Sequence, residues 1–114
     1  MKIEEIFGSL ESIDVISVKG SSVNLVMIVN GYVGDSFEEQ KALDCKLMYY
    51  NDWAESEEFF ALYGGADVNI AVNFTEQPCD SIIERLNVWH RDMMLAKSSL
   101  SVTIAGLPML FLDN

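Results

Sequence analysis

The sequence predicts a single-domain α+β protein, with one mixed β-sheet and two long helices packed on one face. Three observations support this fold class. The chain has 114 residues, half of them hydrophobic, which is enough to bury a core without disulfides or metal. Segments that alternate apolar and polar residues, as strands do, are separated by longer segments with helical periodicity. The resulting order is β-β-α-β-α-β, and its two β-α-β connections favour some parallel pairing through right-handed crossovers.

The first two strands are predicted to form a hairpin. Residues 13–18 are rich in β-branched side chains, residues 19–22 form a polar turn that contains glycine, and residues 23–29 are almost entirely apolar. Because the second run is apolar at nearly every position, this strand is expected to be covered on both faces. Before the hairpin, the apolar spacing over residues 1–11 suits a short amphipathic helix.

A long helix is predicted from Ser36 to about residue 57. Ser36 and Glu39 form a capping box, in which the two side chains satisfy backbone N–H groups at the start of the helix. Apolar residues recur every three or four positions, and charged residues, including Lys46, occupy the other face. Residues 59–63 are apolar and are expected either to extend this helix or to cross the surface.

The second half of the chain repeats the alternation of strand and helix. Residues 67–74 alternate apolar and polar side chains and form the clearest predicted strand. A helix is predicted over residues 80–97, with Ser81 and Glu84 as a second capping box. Residues 99–105 alternate again and are predicted to form the last strand.

The tail, residues 107–112, is too apolar to be left in water. It is therefore expected to pack on the body of the protein or on a partner. A homodimer is one assembly that this tail would permit, and a structural or adaptor subunit that assembles through it is an alternative function.

The charge of the chain restricts its partners. Eighteen acidic residues against seven basic ones give a net charge of −11. Phosphate binding requires lysine and arginine, so we expect no nucleic acid and no anionic membrane as a partner, whereas a basic protein is favoured. Acidity that serves only solubility is the simpler alternative. The N-terminal residues lack an apolar signal segment, and no stretch reaches the roughly 18 apolar residues of a membrane span, which predicts a cytoplasmic protein.

The sequence contains no catalytic or metal-binding motif. Cys45 and Cys79 form no CxxC pair, and the single histidine, His90, lies 11 residues beyond Cys79. At about 1.5 Å per helical residue, about 16 Å separates the two, too far for a catalytic dyad. We therefore expect no cofactor, no metal and no enzymatic activity. A small-molecule enzyme that uses Cys79, His90 or paired carboxylates is the alternative.

The most informative segment combines acidic and aromatic residues. Residues 35–58 contain eight acids and two lysines, a net charge of −6 in 24 residues. Aromatic side chains surrounded by charge are typical of protein interfaces, although the same aromatics also suit a core. The predicted partner-binding residues are Glu38, Glu39, Asp52, Trp53, Glu55, Glu57 and Glu58.

In its size, its charge and its acidic helix over residues 35–58, the chain resembles the small acidic immunity proteins of bacterial contact-dependent growth inhibition and polymorphic toxin systems. That resemblance implies an inhibitor that neutralises a cognate basic toxin, such as a nuclease, by covering its active or substrate-binding site. In its order of elements over residues 13–106, the chain is also similar to a group of uncharacterised small bacterial proteins. This second similarity implies a fold but no activity.

Overall fold

A computed structural model describes residues 3–95 and 98–111. The elements follow one another as α1 (Ile3–Phe7), β1 (Val15–Lys19), β2 (Ser22–Val29), α2 (Phe37–Ala54), α3 (Glu57–Tyr63), β3 (Asp67–Phe74), α4 (Asp80–Leu95), β4 (Ser99–Ile104) and β5 (Leu107–Pro108). The predicted α+β class is confirmed. The predicted order β-β-α-β-α-β is incomplete, because it lacks α1, α3 and β5. Residues 1–2, residues 96–97 of the predicted last helix and residue 112 of the predicted tail lie outside the described residues.

The five strands form a single mixed sheet, which is the predicted type, and their order in it, β1-β2-β3-β4-β5, is a finding of the structure. β1 is antiparallel to β2, the strands β2, β3 and β4 are parallel, and β5 turns back antiparallel to β4. Residues that pair directly point to the same face. Leu25, Ile70 and Leu100 therefore share one face, and Asn24 and Asn69 share the other.

One face of this sheet is buried beneath the helices. Helices α1 to α4 all contribute to a single core cluster with the sheet, for example through Phe7, Leu43, Phe59, Leu86, Leu25, Ile70 and Val102. The prediction that β2 is covered on both faces is wrong, since buried residues alternate along it with Asn24, Val26 and Ile28, which reach the surface. No helix in the described part of the chain is long and apolar enough to cross a membrane.

The helix predicted to run to about residue 57 is divided in two. α2 ends at Ala54 and α3 begins after Ser56. The Ser56 Oγ atom accepts a hydrogen bond from the Phe59 N–H at 3.1 Å and donates one to the Trp53 carbonyl at 2.6 Å. Serine is a favoured residue at this position, because its side chain satisfies an N–H group at the start of the new helix.

The serine half of the capping box predicted for α2 is confirmed, while the Glu39 carboxylate accepts from the Gly34 N–H, and the box predicted for α4 is wrong. Ser36 Oγ accepts a hydrogen bond from the Glu39 N–H at 3.2 Å and donates one to Glu39 Oε1 at 2.7 Å. Ser81 instead lies inside the first turn of α4, which begins at Asp80. The Cys79 carbonyl accepts the first backbone hydrogen bonds of that helix, so Cys79 is the N-cap residue. Ser81 lies two residues too late to act as the cap.

The tail packs on the body of the protein as far as it is described. Ala105 and Gly106 have φ values of 51° and 83°, which match a two-residue hairpin turn into β5. Beyond it, the Met109 N–H donates to the Val102 carbonyl at 2.8 Å. The Phe111 ring stacks on His90 with 3.8 Å between ring centres. Met109 and Phe111 thus pack within the same chain, whereas Leu107 and Leu110 stay exposed.

A buried ion pair ties α2 to the hairpin. Lys46 is 0 % exposed, although helical periodicity places it on the charged face of the predicted helix. Its Nζ atom lies 2.8 Å from Asp14 Oδ1 and also donates to the Phe7 carbonyl. Asp14 Oδ2 accepts a hydrogen bond from the Ile28 N–H at 2.9 Å. One lysine and one aspartate therefore hold α1, β2 and α2 together.

The Tyr50 hydroxyl extends the same network. It donates to the Val26 carbonyl at 3.0 Å and accepts from the Asp14 N–H at 2.9 Å. The ring of Tyr50 is fully buried. Its hydroxyl therefore supplies, at the start of β1, hydrogen bonds for the Asp14 N–H and the Val26 carbonyl.

Burial raises the pKa of the Tyr50 hydroxyl above its ordinary value of 10.0, which predicts a loss of stability in alkali. Above about pH 10 the unfolded tyrosine ionises while the folded one stays protonated, so the free energy of unfolding falls by up to about 1.4 kcal/mol per pH unit. Tyr50→Phe should remove this part of the loss. Urea unfolding between about pH 8 and pH 11 measures it, and equal slopes for the variant and the natural protein would contradict the prediction.

Candidate functional site

The acidic residues predicted to bind a partner do not share one surface, because they lie at the two ends of α2. Glu38 lies in the first turn of α2 and Asp52 in its last, about 21 Å apart at about 1.5 Å per residue. Glu38 borders a groove between α1 and α2. A second group lies where α2 ends and α3 begins, and consists of Asp52, Glu55, Glu57 and Glu58, all exposed. The length of α2 therefore divides what the sequence presents as one acidic segment.

Glu39 belongs to neither group, because its side chain is turned inwards and is 5 % exposed. One carboxylate oxygen accepts from the Ser36 hydroxyl at 2.7 Å, and the other accepts from the Gly34 N–H. A Cβ atom on Gly34 would lie 3.2 Å from Glu39 Oε1, so the turn closes tightly around this carboxylate. Glu39 thus stabilises the start of α2, and we exclude it from the candidate surface.

Asp44 is also occupied within the protein. Its Oδ2 atom lies 2.8 Å from Arg85 Nη1, and its Oδ1 atom accepts from Trp89 Nε1 at 2.9 Å. The second Arg85 nitrogen donates to Gln40 at 2.7 Å. This half-exposed cluster joins α2 to α4, which removes Asp44 and its arginine from the set of charges available to a partner.

Trp53, predicted as an aromatic anchor, is half-buried and packs against α3. Its ring is edge-on to Phe59 with 5.3 Å between centres, and edge-on to Tyr63 at 6.4 Å. Such edge-to-face pairs contribute about 0.5–1.5 kcal/mol beyond the area that they bury. Trp53 therefore positions α3 on the end of α2 and supports the acidic group from beneath.

Two apolar side chains outside the predicted set project from α3 into solvent. Phe60 is 68 % exposed and Leu62 is 61 % exposed. Their exposure follows from the shape of α3, which has seven residues and buries Phe59. The signal lies in the sequence, since residues 59–63 are all apolar and one short helix cannot turn all of them inwards.

We call this region the α2–α3 surface: Asp52, Glu55, Glu57, Glu58, Phe60 and Leu62. No lysine or arginine occurs between Lys46 and Arg85 in the sequence, and both of these cations are paired elsewhere. The four carboxylates therefore have no basic neighbour along their own segment. Negative charge beside exposed apolar side chains suits contact with a protein that is both basic and partly apolar.

The residues of the alternative enzymatic site are not brought together. Cys79 directly precedes α4, whereas His90 lies near the other end of the same helix and stacks on Phe111. The groove between α1 and α2, of about 900 Å³, is lined by neither of them, and its exposed thiol is Cys45. Within residues 3–95 and 98–111, no three His, Cys, Asp or Glu side chains are grouped so as to hold a metal ion.

Comparison with known proteins finds no matching family model, no matching curated protein and no matching solved structure. Similarity therefore assigns no function to the α2–α3 surface. Its charge, its exposure and its place in the fold are the observations from which a function has to be inferred.

Proposed function

We propose that the chain is an immunity protein that binds a cognate basic toxin domain in the bacterial cytoplasm and neutralises it. The observation that carries this proposal is the α2–α3 surface, where four exposed carboxylates lie within eleven residues of chain that also expose Phe60 and Leu62. A toxin that acts on nucleic acid needs a positive surface for phosphates. An acidic inhibitor that covers this surface blocks the substrate without any chemical step.

Charge and apolar contact have different roles in the proposed complex. The carboxylates raise the rate of association by steering a basic partner towards the surface. Phe60 then supplies the buried contact that slows dissociation, because large apolar side chains at an interface centre provide most of the binding energy. The proposed role is binding alone, so neither a cofactor nor a catalytic residue is involved.

The position of the α2–α3 surface in the fold supports the same role. α2 and α4 share one core with the sheet and pack on one of its faces, so the turn between α2 and α3 lies at the end of the sheet where β3 begins. The start of α2 lies at the opposite end, beside the carboxyl ends of the parallel strands, where α/β proteins usually bind small ligands. The α2–α3 surface thus lies at the end of the sheet opposite the carboxyl ends of the parallel strands, away from the usual place of a small-ligand site, which favours a role in protein binding.

Reversing two charges tests the proposal. Asp52→Lys combined with Glu55→Lys should slow association with the basic toxin domain encoded beside this chain by about tenfold at low salt, and make the rate less sensitive to salt. Stopped-flow mixing over a range of salt concentrations gives both quantities, and toxin inhibition reports the function.

The matched control reverses two exposed charges elsewhere, with Glu76→Lys and Glu84→Lys, in the loop after β3 and on α4. It changes the net charge equally but leaves the α2–α3 surface intact. If both double variants slow association to the same extent, the total charge of the chain acts and the α2–α3 surface is not the binding site.

A further inference from the structure

The two edges of the sheet differ in how they are protected. At the edge opposite β1, β5 pairs with only Thr103 and Ile104 of β4, and one of its two residues is Pro108, which has no backbone N–H to offer. The β1 edge runs for five residues, Val15–Lys19, all of them exposed and none of them proline. Long apolar edge strands readily pair with other strands, so most proteins shorten them, bend them or place charges on them. β1 has one such charge, Lys19, at its end.

The geometry of the hairpin shows which backbone groups of β1 face outwards. Gly20, with a φ of 62°, and Ser21 form a two-residue turn that makes Lys19 and Ser22 a hydrogen-bonded pair. Pairs of this kind alternate along an antiparallel ladder. The N–H and C=O groups of Ser17 therefore point to β2, and those of Ile16 and Val18 point away from it.

Acidic residues are absent from the strand that forms this edge, and Asp14, which precedes the strand, is paired with Lys46. Residues 15–34 contain no aspartate or glutamate and one lysine, in a chain whose net charge is −11. The open face beside β1 carries amides and hydroxyls that satisfy one another: Asn69 donates to Asn24 at 3.2 Å and accepts from Ser99 at 2.8 Å. Depletion of charge is the compositional mark of an interface core.

We propose that β1 pairs antiparallel with β1 of a second copy of this chain, so that two five-stranded sheets become one. A two-fold axis at Ser17 uses all five residues of the strand. It places Ile16 opposite Val18 of the second copy, which is a favourable pair of β-branched side chains. It also places each Lys19 opposite Val15 and far from the other Lys19.

The distribution of charge favours a second copy of the chain, and not the basic toxin, as the partner that binds to the β1 edge. β1 has no acidic residue to attract a basic protein, whereas two chains of net charge −11 repel each other least where they meet through a segment without acids. The dimer and the toxin complex therefore use different surfaces and respond to salt in opposite ways. Salt screens the repulsion between two acidic chains and tightens the dimer, and it weakens attraction to a basic toxin. This inference stands independently of the proposed function.

Cross-linking through Ser17 tests the axis directly. At a two-fold axis the two Ser17 residues form a non-hydrogen-bonded pair, whose Cβ atoms, about 4.5 Å apart, come within reach of a disulfide. Ser17→Cys, in a Cys45→Ser background that removes the exposed thiol, should give a covalent dimer under mild oxidation. The matched control is Ser101→Cys on β4, exposed on the same open face but away from the edge, and it should stay monomeric. Equal cross-linking of both variants would indicate face-to-face stacking and overturn the edge pairing.

Sedimentation equilibrium gives an independent measurement without new cysteines. The unmodified chain should show a dimer whose dissociation constant falls as salt rises. Ser17→Lys places two like charges at the axis and should weaken the dimer at least about tenfold, with an unchanged unfolding temperature. A single-chain mass at all salt and protein concentrations would overturn the proposal, whatever the result of the toxin-binding experiment.

Discussion

Lys46→Met should lower the free energy of unfolding by about 3–5 kcal/mol, which is the largest effect that we expect from the removal of one charge in this chain. The substitution keeps most of the apolar stem of the side chain but leaves the Asp14 carboxylate without its cation, 18 % exposed at its side chain. It also leaves the Phe7 carbonyl without its donor. Domains of this size have a total stability of about 5–15 kcal/mol, so the loss is a large part of the whole.

The matched control is the half-exposed ion pair between α2 and α4. Arg85 and Asp44 are also 2.8 Å apart, but their side chains are 35 % and 31 % exposed. Arg85→Met should therefore cost about 1 kcal/mol or less. Urea unfolding at neutral pH measures both variants. A loss below about 1 kcal/mol in Lys46→Met would show that the buried pair does not stabilise the fold.

The double variant Lys46→Met with Asp14→Asn separates the two causes of the loss. Asparagine keeps an oxygen for the Ile28 N–H but carries no charge to be left unpaired. We expect the double variant to be more stable than Lys46→Met alone, because the uncompensated charge is gone. Equal stability of the two would attribute the loss to the Phe7 carbonyl and to packing.

Phe60→Ala should weaken toxin binding by about 30-fold or more in the proposed complex, which corresponds to the 2 kcal/mol or more typical of an interface hot spot. The effect should appear in the dissociation rate, because the ring contributes contact and not charge. The stability of the free protein should change little, since this ring is exposed before binding. Surface plasmon resonance measures the two rates, and thermal unfolding measures the stability.

Phe37→Ala is the matched control for this prediction. Phe37 is the other strongly exposed phenylalanine, and it lies at the opposite end of α2. Its removal deletes the same side chain without altering the α2–α3 surface. A similar loss of affinity in both variants would argue against that surface, and a loss in Phe37→Ala alone would place the contact at the start of α2.

The regular elements could be predicted where the pattern of side chains itself dictates the structure. Residues 67–74 alternate without interruption, and the observed β3 buries Ile70, Val72 and Phe74 on one face. The capping box of Ser36 and Glu39 uses hydrogen bonds between residues three apart, so it is also a local property. The acidity of residues 35–58 is a matter of composition alone.

The candidate site could be predicted only in part, because exposure depends on distant residues. Trp53 and Phe60 are both aromatic and both beside acids, yet Trp53 meets Phe59 and Tyr63 while Phe60 faces solvent. The break at Ser56 turns the chain between them and decides which ring is inside. In one continuous helix the two rings, seven residues apart, would lie on the same face, so helical periodicity could not have told them apart.

The sequence by itself determined the α+β class, the approximate positions of the central strands and the acidic character of the helical side. The tertiary structure alone decided that Lys46 is buried, because its partner Asp14 is 32 residues away and periodicity carries no information about such a contact. It likewise decided that Glu39 is enclosed and that β1 forms an open edge. The Lys46–Asp14 contact joins segments that are distant in the chain, and its free energy outweighs the local preference of the lysine, whereas Glu39 is enclosed by its near neighbours Gly34 and Ser36.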